Sequence, residues 1–142
     1  MLQTRLRKFI ELPATDRRLL ASAIVSLIKA RIAVTFVPLR KILQPVRLWT
    51  DPTPPDSEKI SWAVETAGRI VPTGTNCLVR AIAGREMLAR RGVSSQIRLG
   101  IAKNSPDILS GHAWLECGDK IITGEGEHLN YVAMPTPSAE TP

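Results

Sequence analysis

A chain of 142 residues with 44% hydrophobic side chains can build one sizeable core, and it is too short for a second. Its formal charge of +6 is unevenly placed, since residues 1–48 carry ten Lys and Arg against only Glu11 and Asp16, while the remainder carries nine basic and eleven acidic side chains. With aromatics at 4% the basic front suits a protein or peptide partner better than nucleic acid, and two cysteines without a secretory leader predict a reducing, cytoplasmic setting rather than a disulfide framework.

The stretch LLASAIVSLIKARIAVTFV, residues 19–37, is the one most easily mistaken for a membrane span. Only ten uncharged residues precede Lys29, against the ~18 a span needs, so a buried core helix is predicted. Thr15 or Asp16 can cap its start, Leu20, Ile24, Leu27, Ile28 and Val34 form its stripe, and Pro38 ends or kinks it. A short helix over Leu39 to Leu43 should follow. The three prolines of TDPTPPDS, residues 50–57, predict an extended connector, with Asp56 or Ser57 as the next cap. Ile60, Ala63, Val64, Ala67 and Val71 recur at helical spacing, which predicts an amphipathic helix over 58–70 with Trp62 in the core.

Pro72 stops that helix. In the following PTGTN, Thr75 or Asn76 can cap a helix that opens with Cys77 at its first or second position, buries Leu78, Ala81, Ile82 and Leu88, and closes on Arg90, Arg91 and a left-handed Gly92. Gly84 in its interior weakens the pattern slightly. Alternation over VSSQIRLGIA predicts a half-buried strand, then a loop over KNSPDILSG, and HAWLEC–GD–KIITGE predicts a hairpin on a type II′ turn. Counting outward from the turn sets Trp114 against Thr123 and His112 against Glu125. Cys117 falls on the opposite face from His112 and is expected to pack as a small hydrophobe. MPTPSAETP lacks apolar content and is expected to be a disordered tail from residue 135.

Cys77, His112, Cys117 and His128 lack the paired spacing of a zinc site, so no metal is expected. Cys77 is different in kind from Cys117. A free thiol is only a few per cent thiolate at neutral pH, and a helix terminus alone cannot ionise it fully, so a nucleophilic role requires a cationic partner. Of the two histidines, His112 at a strand start is favoured over His128 in a polar stretch. Taken singly, each residue has a plain structural explanation; their combination points to nucleophile and base.

NCLVRAIAGREMLARRGV, SSQIRLGIA and GHAWLECGDKII, in this order, resemble the leader peptidases of lasso peptide biosynthesis, within the transglutaminase-like superfamily. The helical, Arg-rich RRLLASAIVSLIKARIAVTFVPLRKI is similar to their opening. The resemblance implies an α+β fold: a helical N-terminal part, then a papain/transglutaminase-like core with a Cys at a helix N-terminus packed on a small antiparallel sheet, all in one domain over residues 1–134. It further implies cleavage of a precursor between leader and core peptide without a cofactor, with an ATP-dependent cyclase acting next. Cys77 would be the nucleophile and His112 base, then acid. The Cys77 amide and the Asn76 side chain would hold the oxyanion, and Trp114 would wall the cleft. The family pattern places an aspartate after the histidine strand, where this chain offers Glu125 or Glu127. The hairpin count selects Glu125; a register shift would favour Glu127 or a backbone carbonyl, and Asp119 belongs to the turn. Some members carry a winged-helix leader-recognition domain in the same chain. Residues 1–48 read as helix instead, so a separate recognition protein is expected. Two alternatives of other classes stand beside this reading: a non-catalytic scaffold of the same fold, and an amide-forming acyltransferase.

Overall fold

The computed structural model describes residues 2–44, 57–71, 76–102, 111–124, 126 and 128–135. A helical part comes first, with α1 (Leu2–Ile10), α2 (Ala14–Phe36), α3 (Leu39–Ile42), α4 (Ser57–Ile70) and α5 (Cys77–Arg90). Then come β1 (Gln96–Ala102), β2 (Gly111–Cys117), β3 (Lys120–Thr123), a 3₁₀ turn His128–Asn130 and β4 (Tyr131–Ala133). The four strands form one antiparallel sheet in the order β3-β2-β1-β4. The predicted connector over residues 50–56 and the predicted tail from 136 onward lie outside the described residues.

Helix α5 is the centre of the core, with α2 and α4 on one side and the sheet on the other. Ala81, Ala83, Met87 and Leu88 of α5 are buried together with Leu20, Ala23 and Leu27 of α2 and Ile60, Ala63, Val64 and Ala67 of α4. Small residues on all three helices let their axes approach; of the predicted stripe of α4, Ile60, Ala63, Val64 and Ala67 are fully buried, and Val71, just beyond the helix, is half-buried. Trp62, expected in the core, is instead 38% exposed, because it falls outside that stripe. Pro13, extended at φ −52° and ψ 149°, starts α2 without a side-chain cap, which corrects the expected Thr15 or Asp16. Asp16 instead meets Lys59 of α4 at 3.4 Å. Val37, extended ahead of Pro38, ends α2 as the proline rule requires.

Among the described residues α2 is the one helix long and apolar enough to cross a membrane. It is held by one side only: Leu20, Leu27 and Ala30 are buried, whereas Val25, Ile28, Ile32 and Phe36 face outward. Ile28, expected within the buried stripe, is 47% exposed. Arg85 of α5 donates to the carbonyls of Ile42 and Gln44, satisfying the open end of α3, and burial lowers its pKa below the usual guanidinium value.

The end of α5 is fixed by backbone bonds. The Gly92 amide reaches the Ala89 carbonyl and the Val93 amide the Leu88 carbonyl, with Gly92 at φ +74°, and this Schellman geometry turns the chain into β1. The hairpin turn carries Gly118 at φ +57°. Its register departs from the regular count, however. Glu116 pairs with Ile121 but Leu115 pairs with Thr123, so Ile122 is an extra residue in a β-bulge and the expected Trp114–Thr123 pair does not form. The bulge brings two consecutive side chains, Ile122 and Thr123, inward over α5, where both are buried. They meet α5 at Gly84, at which a Cβ would lie 2.8 Å from Leu115 Cδ2 and 3.5 Å from Thr123 Cγ2.

Gly84 therefore has a packing reason that overrides helix propensity. An exposed Gly→Ala in a helix gains ~1 kcal/mol. Here Gly84→Ala is expected to lose ~1–3 kcal/mol, because Leu115 is fully buried and cannot retreat; urea unfolding of the two proteins measures the sign.

Candidate functional site

Asn76 caps α5. Its side-chain oxygen accepts the Val79 amide at 2.9 Å, which fixes Cys77 as the first helical residue with its backbone amide among the open donors of the first turn. The thiol is half-buried and points at β2, where the Ala113 amide donates to Cys77 Sγ at 3.4 Å. Ala113 is the residue after His112. Cys77 and His112 line one groove of about 440 Å³, together with Leu78, Leu99, Ile101 and Met134. The two residues singled out from the sequence, 35 positions apart, thus share one surface.

His112 is 6% exposed and packs against two aromatic rings. Trp114 stacks at 6.0 Å between centroids and Tyr131 of β4 at 5.0 Å, with interplanar angles of 24° and 28°. Two glycines make room for this stack. A Cβ on Gly100, the residue across the ladder from His112, would meet the Trp114 ring at 2.7 Å and Tyr131 Cβ at 2.8 Å. A Cβ on Gly124, at φ +80°, would meet His112 Nε2 and Trp114 Cβ at 2.9 Å each. Trp114 Nε1 donates to Glu116 at 2.8 Å, and Glu116 takes Arg98 Nε at 3.1 Å, so the outer ring is anchored through a polar chain along the same sheet face.

These contacts correct the expected part of Trp114. It is buried at 3% exposure behind His112 and supports the imidazole rather than walling the groove, because Gly100 leaves space for its ring to lie across the sheet. The bulge removes the count that set His112 against Glu125, and Glu125 and Glu127 themselves lie outside the described residues. His128 starts the 3₁₀ turn that leads into β4. Asn76 is engaged as a cap through its carbonyl oxygen, which leaves its amide nitrogen as the group able to donate. No cluster of metal-ligating side chains occurs among the described residues.

Sequence reasoning missed Tyr131, Gly100, Gly124 and the Arg98–Glu116 pair. The spacing His112, Trp114, Glu116 was a usable signal for side chains sharing one sheet face. Tyr131 offered none, because a three-residue strand has too little pattern to recognise.

Cys117 behaves as expected of packing. It is 1% exposed, its thiol donates to the Ser94 carbonyl at 3.5 Å, and burial raises its pKa, opposed in part by Lys120. A raised thiol pKa favours the folded state only while the group stays protonated, so its effect on stability is flat below the ordinary thiol range and falls as pH climbs from there toward the raised folded value. Peptide mapping after iodoacetamide treatment is expected to find Cys77 labelled and Cys117 spared until denaturant is added. Cys117→Ala is expected to flatten the alkaline loss of stability, measured as the urea midpoint against pH.

A family model described as the transglutaminase-like superfamily matches residues 22–136, the span that runs from α2 through β4. No curated protein and no solved structure gives a match.

Proposed function

The chain belongs to the transglutaminase-like superfamily, and from that premise we propose that it is a cysteine peptidase that removes the leader from a ribosomally made lasso peptide precursor. The observation that carries the reading is the placement of Cys77 Sγ at a helix start, against the amide that follows His112, on a groove open to a substrate. The superfamily's cysteine-dependent enzymes include peptidases and acyltransferases, and the resemblance of NCLVRAIAG and GHAWLEC to leader peptidases selects hydrolysis.

In the proposed reaction His112 takes the Cys77 proton and the sulfur attacks the scissile carbonyl. The resulting oxyanion lies near the open amides of the first turn of α5, with the Asn76 amide nitrogen as a second donor. Collapse breaks the C–N bond, His112 returns the proton to the departing amine, and one fragment is left as a thioester on Cys77. Water, deprotonated by His112, then releases it as the acid. Glu125 and Glu127 are the candidates for an acid that orients His112. No metal or cofactor takes part in these steps.

The partners that follow are the precursor's leader, a separate winged-helix recognition protein and the ATP-dependent cyclase that closes the core peptide, all in the cytoplasm. The basic front of the chain is the proposed surface for the recognition protein. In α1 to α3 the acids are few, and both have cationic partners, Glu11 with Arg7 and Asp16 with Lys59.

The test is incubation with candidate precursor and its recognition partner, followed by mass spectrometry. The native chain is expected to yield leader and core peptides, Cys77→Ala none, and His112→Ala ~10²–10⁴-fold less. A product joined to an added amine in place of a free acid would select the acyltransferase; no product with any precursor would favour the scaffold. Reversing charge at Arg17, Arg18, Arg40 and Lys41 together is expected to weaken binding to the recognition partner with a reduced salt dependence, read by titration at two ionic strengths, and unchanged binding would remove that surface from the proposal.

A further inference from the structure

The groove beside Cys77 has an apolar wall that folding alone does not require. The alternation that enters β1 buries Val93 ahead of the strand and Ile97 within it, yet the same side of the strand ends with Leu99 half-buried and Ile101 40% exposed. Met134, 43% exposed, is held beside them by its amide, which donates to the Leu99 carbonyl at 2.7 Å. Val132, paired with Ile101 across the β1–β4 ladder, is 56% exposed. Leu78 follows Cys77 on the helix and completes the lining. Apolar side chains left in water around a thiol, in a groove of about 440 Å³, are the makings of a binding site and are costly otherwise.

Resting on the reading of Cys77 as nucleophile, we infer that Leu78, Leu99, Ile101 and Met134 form a subsite for an aliphatic group on the acyl side of the bond attacked. The acyl group stays on Cys77 through both half-reactions, so an apolar wall adjoining the thiol shields it from formation of the thioester to its release. The same subsite would serve hydrolysis or amine transfer. It selects a substrate class: chains with an aliphatic residue next to the scissile carbonyl.

Activated esters test it without the natural precursor. With p-nitrophenyl acetate, butyrate and hexanoate, the Cys77 thiolate attacks the ester carbonyl, the C–O bond breaks, and p-nitrophenolate leaves as the acyl group becomes a thioester. The rate is read from released nitrophenolate, and the site from the mass of the Cys77 peptide. Each methylene that enters the subsite should raise the second-order acylation constant about fourfold, so hexanoate is expected to exceed acetate by about tenfold or more. In Ile101→Asp and in Met134→Ser that ratio should fall below about threefold. Both positions are partly exposed, and the thermal midpoint of each variant reports its folding. A ratio near one in the native chain, or a ratio unchanged in both folded variants, overturns the subsite while leaving the nucleophile standing. If neither the esters nor iodoacetamide modify Cys77 faster than free cysteine, the nucleophile reading fails and this inference fails with it.

Discussion

The arrangement depends on one contact between elements distant in sequence, the amide of Ala113 directed at the sulfur of Cys77 across 36 residues. For that contact to form, the start of α5 must lie against the start of β2, and neither can move alone. Asn76 fixes where the helix begins, the backbone bonds at Gly92 and Val93 fix where it ends, and the chain then enters β1 in a single direction. Because β1 pairs with β2 along six residue pairs, with Gly100 opposite His112, the direction of β1 sets the position of the histidine. A shift of one residue would move every side chain of β2 to the other face and separate His112 from both its stacking partners and the groove.

Behind that contact α2 and α4 act as the support of α5. α2 and α4 press α5 toward the sheet through small and aliphatic residues, and the ion pairs around them are partly exposed and add little. Arg80 shows how close the packing is: its guanidinium lies over Gly68 of α4, where a Cβ would be 2.7 Å from Nε, while it pairs with Glu65 at 2.8 Å. The close approach on one side of α5, at Gly68, and on the other, at Gly84, fixes the helix in depth. Displacement of α5 along or away from the sheet would carry Cys77 with it.

The parts legible in the sequence were those set by local chemistry. A cap residue before a thiol, a glycine after two arginines, prolines at helix ends and a Gly-Asp turn each dictate backbone geometry within a few residues, and the structure has helices and strands there. The face of α4 was legible because its stripe is regular; that of α2 was less so, because its apolar residues are spread around the helix and do not single out the side that meets the core. The bulge at Ile122 was invisible, since it answers to the buried Gly84 and Leu115 rather than to its own strand. Tyr131 was out of reach for a similar reason. Its strand exists because β1 offers an edge to pair with, which is a property of the folded sheet.

What orients the imidazole is then a question about surfaces more than about one acid. A carboxylate beside a histidine holds one nitrogen and leaves the ring free to rotate about that bond. Two rings stacked against it leave it little freedom to tilt, and the glycines at 100 and 124 bring the stack close enough for this to hold. Trp114 cannot slide away, because its indole nitrogen is bound to Glu116 and Glu116 to Arg98. The orientation of the imidazole is in this sense carried by the sheet face: the stack holds the ring, and the chain from Trp114 through Glu116 to Arg98 holds the stack.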